Sequence, residues 1–221
     1  MNEYEKNGVA LEIVYIGNET PSGILFPVGK IDWDNNDFYN TAYLFKQCRD
    51  GIAASALSTV PQIGLHLDGG AQIGRQTSFY DGLLAAGPFS ADDYDIQAVS
   101  YYPVYGEEDT VANFESTIAE MYSKYGKDIM LAETNWPQTC TDTSEYPLPK
   151  DTQDIQISAA GQTTWINRLG DILNAQAGAI GFTYWEGAWL SNAGLGTECE
   201  DMLLVSDNGK DLGGFEAIGG L

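Results

Sequence analysis

The chain has 221 residues, 43% of them hydrophobic and 12% aromatic, which suits one folded domain with a substantial core and excludes a disordered chain. Ten basic residues stand against 32 acidic ones, a formal net charge of −22 with no basic cluster. That balance argues against nucleic acid, membrane surfaces and polyanionic substrates, and for a neutral polymer or a small neutral molecule.

No apolar run approaches the ~20 residues of a membrane span. Met1–Lys6 is no signal peptide, because no apolar stretch follows a basic start. Taken in chain order, Leu11–Ile16 reads as a strand, and Gly17-Asn18-Glu19 breaks it into a loop. Asp37–Leu57 reads as a helix, Gln62–Leu67 as a strand, Thr77–Ala86 as a helix and Ile96–Tyr102 as a strand. Thr110–Tyr125 is the clearest helix. Its Val111, Phe114, Ile118, Met121 and Tyr125 recur at three- and four-residue steps, and Gly126 stands where a C-terminal cap belongs. Ile129–Ala132 reads as a strand, Ser158–Ala177 as a helix with Gly178 behind it, and Ala179–Trp185 as a strand. The tail, Leu203–Leu221, carries an Asp207-Asn208-Gly209 turn and a short final helix.

Five strands thus alternate with helices at spacings suited to βα units. The strands lack clean polar alternation, as expected when both faces are covered. An open doubly wound sheet usually carries a glycine-rich phosphate loop after its first strand, and none is present. Instead the strand ends carry polar and aromatic side chains: Asn18 and Glu19, His66 and Asp68, Ser100 to Tyr102, Glu133, then Trp185 and Glu186. Chemistry supplied from many strand ends is the habit of the (β/α)8 barrel, although a whole barrel takes about 250 residues.

Two glutamates at the ends of parallel strands suit glycoside hydrolysis, which needs one carboxyl to protonate the leaving oxygen and another to attack or stabilise the sugar cation. Glu19 would need a raised pKa to arrive protonated, and Glu133 would stay ionised as a nucleophile. Asn18 beside the acid can bond a sugar hydroxyl. It also opens an Asn-Glu-Thr glycosylation sequon, but an asparagine on a catalytic face belongs inside the cleft. Asp68, before Gly69-Gly70, is either a hydroxyl acceptor or a turn former. Glu186 is a rival carboxylate. Trp136, Trp185 and Trp189 either fill the core or stack on a pyranose face, and their places past strand ends favour stacking. His66 suits a structural or hydroxyl-binding role. One histidine and three cysteines without zinc-like spacing leave little for a metal site. The cysteines are either buried thiols or a disulfide with one thiol left over.

Six stretches in order carry a specific resemblance: Ile16-Gly17-Asn18-Glu19, Ile63-Gly64-Leu65-His66-Leu67-Asp68, Val99-Ser100-Tyr101-Tyr102-Pro103-Val104-Tyr105, Glu133-Thr134-Asn135-Trp136-Pro137, Ser158-Ala159-Ala160-Gly161-Gln162-Thr163 and Tyr184-Trp185-Glu186-Gly187-Ala188-Trp189. With these the chain resembles glycoside hydrolase family 53, the arabinogalactan endo-β-1,4-galactanases, and its fungal members most. The resemblance implies an α/β (β/α)8 TIM barrel of which this chain holds the fourth to eighth strands, residues 1–221 being a partial catalytic domain without the first three. It implies retaining endo-hydrolysis of β-1,4-galactan, a side chain of pectin, with Glu19 as acid/base and Glu133 as nucleophile. Tyr102 would bond the nucleophile, and Trp185 would floor the neighbouring subsite. His66, Asp68, Asn18 and Trp189 would line the cleft. It further implies a Cys140–Cys199 disulfide, worth about 4 kcal/mol in the chain-entropy model, with Cys48 free. No metal or organic cofactor is implied. The complete protein would be secreted and monomeric, its signal peptide lost with the missing strands.

The chain departs from the family at Gly69-Gly70-Ala71, where Asn-Gly-Trp is usual, at Gly187 for a proline and at Phe26 for a tryptophan. The first departure removes an aromatic cleft contact. Two other readings stay open: another retaining β-glycanase of the same clan, such as a β-mannanase or cellulase, and a truncated, inactive relative that at most binds carbohydrate. The stretches around His66 and Tyr102 speak against the first.

Overall fold

The structure, a computed structural model, describes residues 1–140, 142–144, 146–190 and 199–221. Its elements in chain order are α1 (Asn2–Lys6), β1 (Ile13–Tyr15), β2 (Gly23–Ile24), β3 (Gly29–Lys30), α2 (Tyr39–Ala53), β4 (Gln62–Leu67), α3 (Ile73–Ala85) and β5 (Ile96–Ser100). They continue with α4 (Val111–Tyr125), β6 (Asp128–Thr134), β7 (Thr139–Cys140), α5 (Ala159–Ala175), β8 (Ala179–Tyr184), β9 (Cys199–Glu200) and α6 (Gly214–Gly219). A five-stranded sheet runs in the order β1-β4-β5-β6-β8, and every neighbouring pair is parallel. Helices α2, α3, α4 and α5 fill the crossovers between consecutive strands, so the sheet is an arc of a (β/α)8 barrel.

The main core lies between this sheet and its helices. Phe45, Phe79, Leu65, Leu67, Phe114, Leu131 and Trp165 are fully buried there. The opposite, concave face holds a smaller cluster of Ile96, Ala98 and Ala132, against which Ile13, Tyr15 and Met130 pack half-buried. Strand β5 is therefore buried on both faces, which is why its sequence shows no polar alternation.

Local chemistry explains the helix limits. The Thr110 hydroxyl caps α4 by accepting from the Asn113 amide at 3.0 Å, and Gly126 ends it in the left-handed conformation at φ +65°. The Ser158 hydroxyl caps α5 by accepting from the Gly161 amide at 3.1 Å. Helix α3 starts at Ile73 and not at the expected Thr77, because Gln76 anchors its first turns. The Gln76 side-chain amide donates to the carbonyls of Asp68 at 2.6 Å and Gly69 at 3.1 Å. Strand β6 runs on to Thr134, past the expected end at Ala132. The Glu133 carbonyl accepts from the Tyr101 amide and the Thr134 carbonyl from the Trp185 amide, each at 2.9 Å.

Helix α1, the β2–β3 hairpin and the β7–β9 pair are additions to the sequence reading. Cys140 and Cys199 are bonded across β7 and β9, and Cys48 is free. Among the described residues no helix is long and apolar enough to cross a membrane.

Candidate active site

A cleft of about 470 Å³ opens at the C-terminal ends of the parallel strands. Asn18 and Glu19 reach it from the turn after β1, Asp68 from beyond β4, Tyr102 from beyond β5, Glu133 from β6 and Trp185 from beyond β8.

The turn after β1 is tightly held. Gly17 and Glu19 both have positive φ, and for Glu19, at +43°, that is unusual backbone for a residue with a side chain. Thr20 fixes it, donating to the His66 carbonyl from its amide at 2.9 Å and from its hydroxyl at 3.2 Å. Asn18 and Glu19 are left exposed side by side.

Glu133 is in the opposite situation, only 7% exposed. The Tyr102 hydroxyl donates to its Oε2 at 2.9 Å. Burial pushes the Glu133 carboxyl up, and the charges of Glu19 and Glu186 push the same way, while the hydrogen bonds from Tyr102 and Ser100 oppose them. The upward push thus falls on the carboxyl expected to work ionised, and two hydroxyl donors stand against it. Burial, and then the Glu133 charge, hold the Tyr102 phenol in its protonated, donating form.

The remaining candidates divide. Trp185 lines the cleft and is 39% exposed. Asp68 lines it too, but not as the open acceptor expected. Arg75 grips both of its oxygens, from Nε at 2.8 Å and from a terminal nitrogen at 2.6 Å. Among the described residues, His66 and Trp189 are not part of the lining. His66 is buried beneath it, with Nε2 2.8 Å from the Ser100 hydroxyl, and Trp189 lies outside, 60% exposed. Trp136 belongs to the core and not to a stacking surface. It is fully buried against Trp165, and its ring N–H donates to the Gln156 carbonyl at 2.8 Å. Glu186 acts on Glu133 by its charge from outside the lining.

The sequence reading missed Gln72, Arg75, Tyr105 and Asp109, which also line the cleft. Gln72 and Arg75 enter from the start of α3, which that reading placed four residues too late. The Tyr105 ring stands edge-on to Tyr102 at 5.6 Å. Burial pushes the Asp109 carboxyl up, against a hydrogen bond from Gln72 at 3.4 Å. Among the described residues no group of three histidine, cysteine or acidic side chains could hold a metal ion.

Two carboxyls from different strand ends, a tyrosine on one of them and a tryptophan alongside define the cleft of a (β/α)8-barrel glycoside hydrolase. The comparisons narrow that class. The profile described as glycosyl hydrolase family 53 matches residues 1–218, and the chain belongs to that family. It is 41% identical over 220 residues to a probable arabinogalactan endo-β-1,4-galactanase A of Aspergillus terreus, covering 99% of this chain and 62% of that protein. It is 42% identical over 204 residues to the arabinogalactan endo-β-1,4-galactanase A of Emericella nidulans, covering 92% and 57%. The chain thus spans about six-tenths of the length of these curated relatives. A solved fungal β-1,4-galactanase superposes with a TM-score of 0.93 at 34% identity, over all of this chain and 65% of that one. A GH53 catalytic domain from Ignisphaera aggregans has the same fold, with a TM-score of 0.76.

Proposed function

We propose that this chain carries the catalytic pair of a retaining endo-β-1,4-galactanase acting on (arabino)galactan side chains of pectin. Residues 1–221 would supply the fourth to eighth strands of the catalytic barrel. The observation that carries the reading is Glu133, buried at the end of β6, bonded by Tyr102 at 2.9 Å and sharing a cleft with the exposed Glu19. Glu133 attacks the anomeric carbon and forms a glycosyl-enzyme bond. Glu19 protonates the departing glycosidic oxygen and then takes a proton from the water that releases the sugar. Trp185 presents a ring face to the C–H side of a galactose, and Asn18 bonds its hydroxyls. The substrate is neutral, in keeping with a cleft lined by four acidic side chains, Glu19, Asp68, Asp109 and Glu133. The parent protein acts as a secreted monomer without metal or organic cofactor.

The test is galactan hydrolysis followed by proton NMR. The first product should be the β-anomer, and an initial α-anomer overturns the assignment of roles. Glu133→Gln should abolish turnover even of activated aryl β-galactosides, and azide or formate should partly rescue Glu133→Ala. Glu19→Ala should spare substrates whose leaving groups need no proton. If Glu186→Gln were the severe change and Glu133→Gln the mild one, the nucleophile is misassigned.

A further inference from the structure

Glu133 has a second, indirect partner. Ser100 stands opposite it across β5 and β6, and its side chain favours the ionised form of the Glu133 carboxyl. The same Ser100 hydroxyl lies 2.8 Å from Nε2 of His66, on the other neighbouring strand. A serine has one hydroxyl proton, and an ionised carboxylate can only accept. If Ser100 gives its proton to Glu133, its oxygen must accept from His66, so Nε2 must carry hydrogen. If Nε2 were bare, Ser100 would donate to the ring and turn its lone pairs toward the carboxylate. Only the first arrangement satisfies all three groups.

We propose that His66 is a positioning residue: its Nε2–H fixes the direction of the Ser100 hydroxyl, which holds the Glu133 carboxylate aimed and ionised. The proposal rests on reading Glu133 as the nucleophile. It also explains why a buried histidine, 3% exposed and outside the cleft lining, sits where it does. Burial pushes His66 down to about 4, and only the Asp68 charge acts against that. Near neutral pH the ring is therefore uncharged with a single proton, and its tautomer decides the chain. Protonation in acid adds a hydrogen at Nδ1 and leaves Nε2–H in place, so the chain survives it. The groups acting on Glu133 are Glu19 and Glu186, which oppose its charge, and Tyr102 and Ser100, which support it. The Tyr15 ring stands 6.0 Å from the His66 ring and brings no charge.

Two measurements on the 221-residue chain test this without turnover. A long-range proton–nitrogen spectrum of the single histidine should show the Nε2–H tautomer at neutral pH, and the Nδ1–H tautomer overturns the proposal. A carbon-13 carboxyl titration, with Glu133 assigned by Glu133→Gln, should show the Glu133 proton affinity rising about tenfold in Ser100→Ala. His66→Phe should raise it in the same sense, with no further rise in the double variant. His66→Gln, whose amide reaches as far as Nε2, should restore it. A Glu133 titration unmoved by Ser100→Ala, or moved by Ser100→Ala but not by His66→Phe, overturns the proposal; should His66→Phe fail to fold, a His66→Gln titration raised as far as that of Ser100→Ala overturns it. The proposed function fails separately, on an α-anomer as first product or on galactan turnover that survives Glu133→Gln.

Discussion

As the proposed nucleophile Glu133 has to be ionised, yet burial and two neighbouring carboxyls favour its protonated form. Tyr102 supplies an opposing hydrogen bond at 2.9 Å. Removing that donor in Tyr102→Phe should move the acidic limb of the kcat/KM profile to higher pH and lower its plateau about 10–100-fold, on the scale of a lost charge-assisted hydrogen bond of ~1.5–3 kcal/mol. A limb that stays in place would show that Tyr102 does not set the charge on Glu133. The same shift bears on stability. A carboxyl whose folded pKa lies above its unfolded value stabilises the fold below the unfolded pKa, and that contribution is lost as pH rises through the folded pKa. Glu133→Gln removes the titration. Its Tm should match the parent in acid and exceed it increasingly as pH climbs through the Glu133 pKa, by about 2–4 °C per kcal/mol for a domain of this size. A gap that is constant with pH would refute the upward shift. The two glutamates were legible because each closes an apolar run. Arg75 was not, because Gly74 beside it reads as a helix breaker while the structure has open space there and keeps the helix going. The engagement of Asp68 was hidden for the same reason.

At the scale of elements, the end of β6 is held by α5. The side-chain amide of Gln162, buried on that helix, donates to the Trp136 carbonyl at 2.9 Å and to the Leu203 carbonyl at 3.0 Å. The Tyr184 hydroxyl, from β8, joins the same group, accepting from the Trp136 amide at 3.0 Å. One glutamine therefore ties the segment just after β6, the strand that carries Glu133, to the stretch that follows β9, and the Tyr184 hydroxyl links both to the end of β8 beside Trp185. Gln162→Leu, close in volume, should remove both bonds and leave the Trp136 carbonyl to the Tyr184 hydroxyl at 3.1 Å and the Leu203 carbonyl to the Gln138 amide at 2.8 Å, at a cost of about 0.5–1.5 kcal/mol per lost bond. The expected readout is a lower Tm in a thermal melt, and an unchanged Tm would show that other donors or water replace the amide. The helices that carry these contacts were legible from their periodicity and caps. The β2–β3 hairpin was not. Its connection, Leu25-Phe26-Pro27-Val28, is apolar although Leu25, Phe26 and Val28 are each more than half exposed, so it lacks the polar turn chemistry that marks a hairpin. Trp136 misled in the opposite sense. A strand-end position suggested a surface role, but the chain turns inward there to meet Trp165.

For the whole molecule, two features of the 221-residue chain pull in opposite directions. The central strand β5 is buried throughout, whereas the outer strands of the sheet are not: every residue of β1 is half-buried, and Ile180 on β8 is 43% exposed. The concave cluster of Ile96, Ala98 and Ala132 is covered in part only by half-buried neighbours. Sheet edges and apolar faces of this kind favour association. Against that stands the net charge of −22, which makes copies repel. Repulsion of this sort acts over a Debye length, about 10 Å at 0.1 M salt and about 3 Å at 1 M, while apolar attraction is not screened. The chain expressed alone should therefore be a monomer at low ionic strength that binds an apolar dye. It should self-associate as sodium chloride is raised, the reverse of what ion-pair contacts would do. Light scattering across a salt series reads the outcome. A monodisperse monomer at high salt that binds no dye would show that the concave face is closed in solution and that the sheet's outer strands are not points of association.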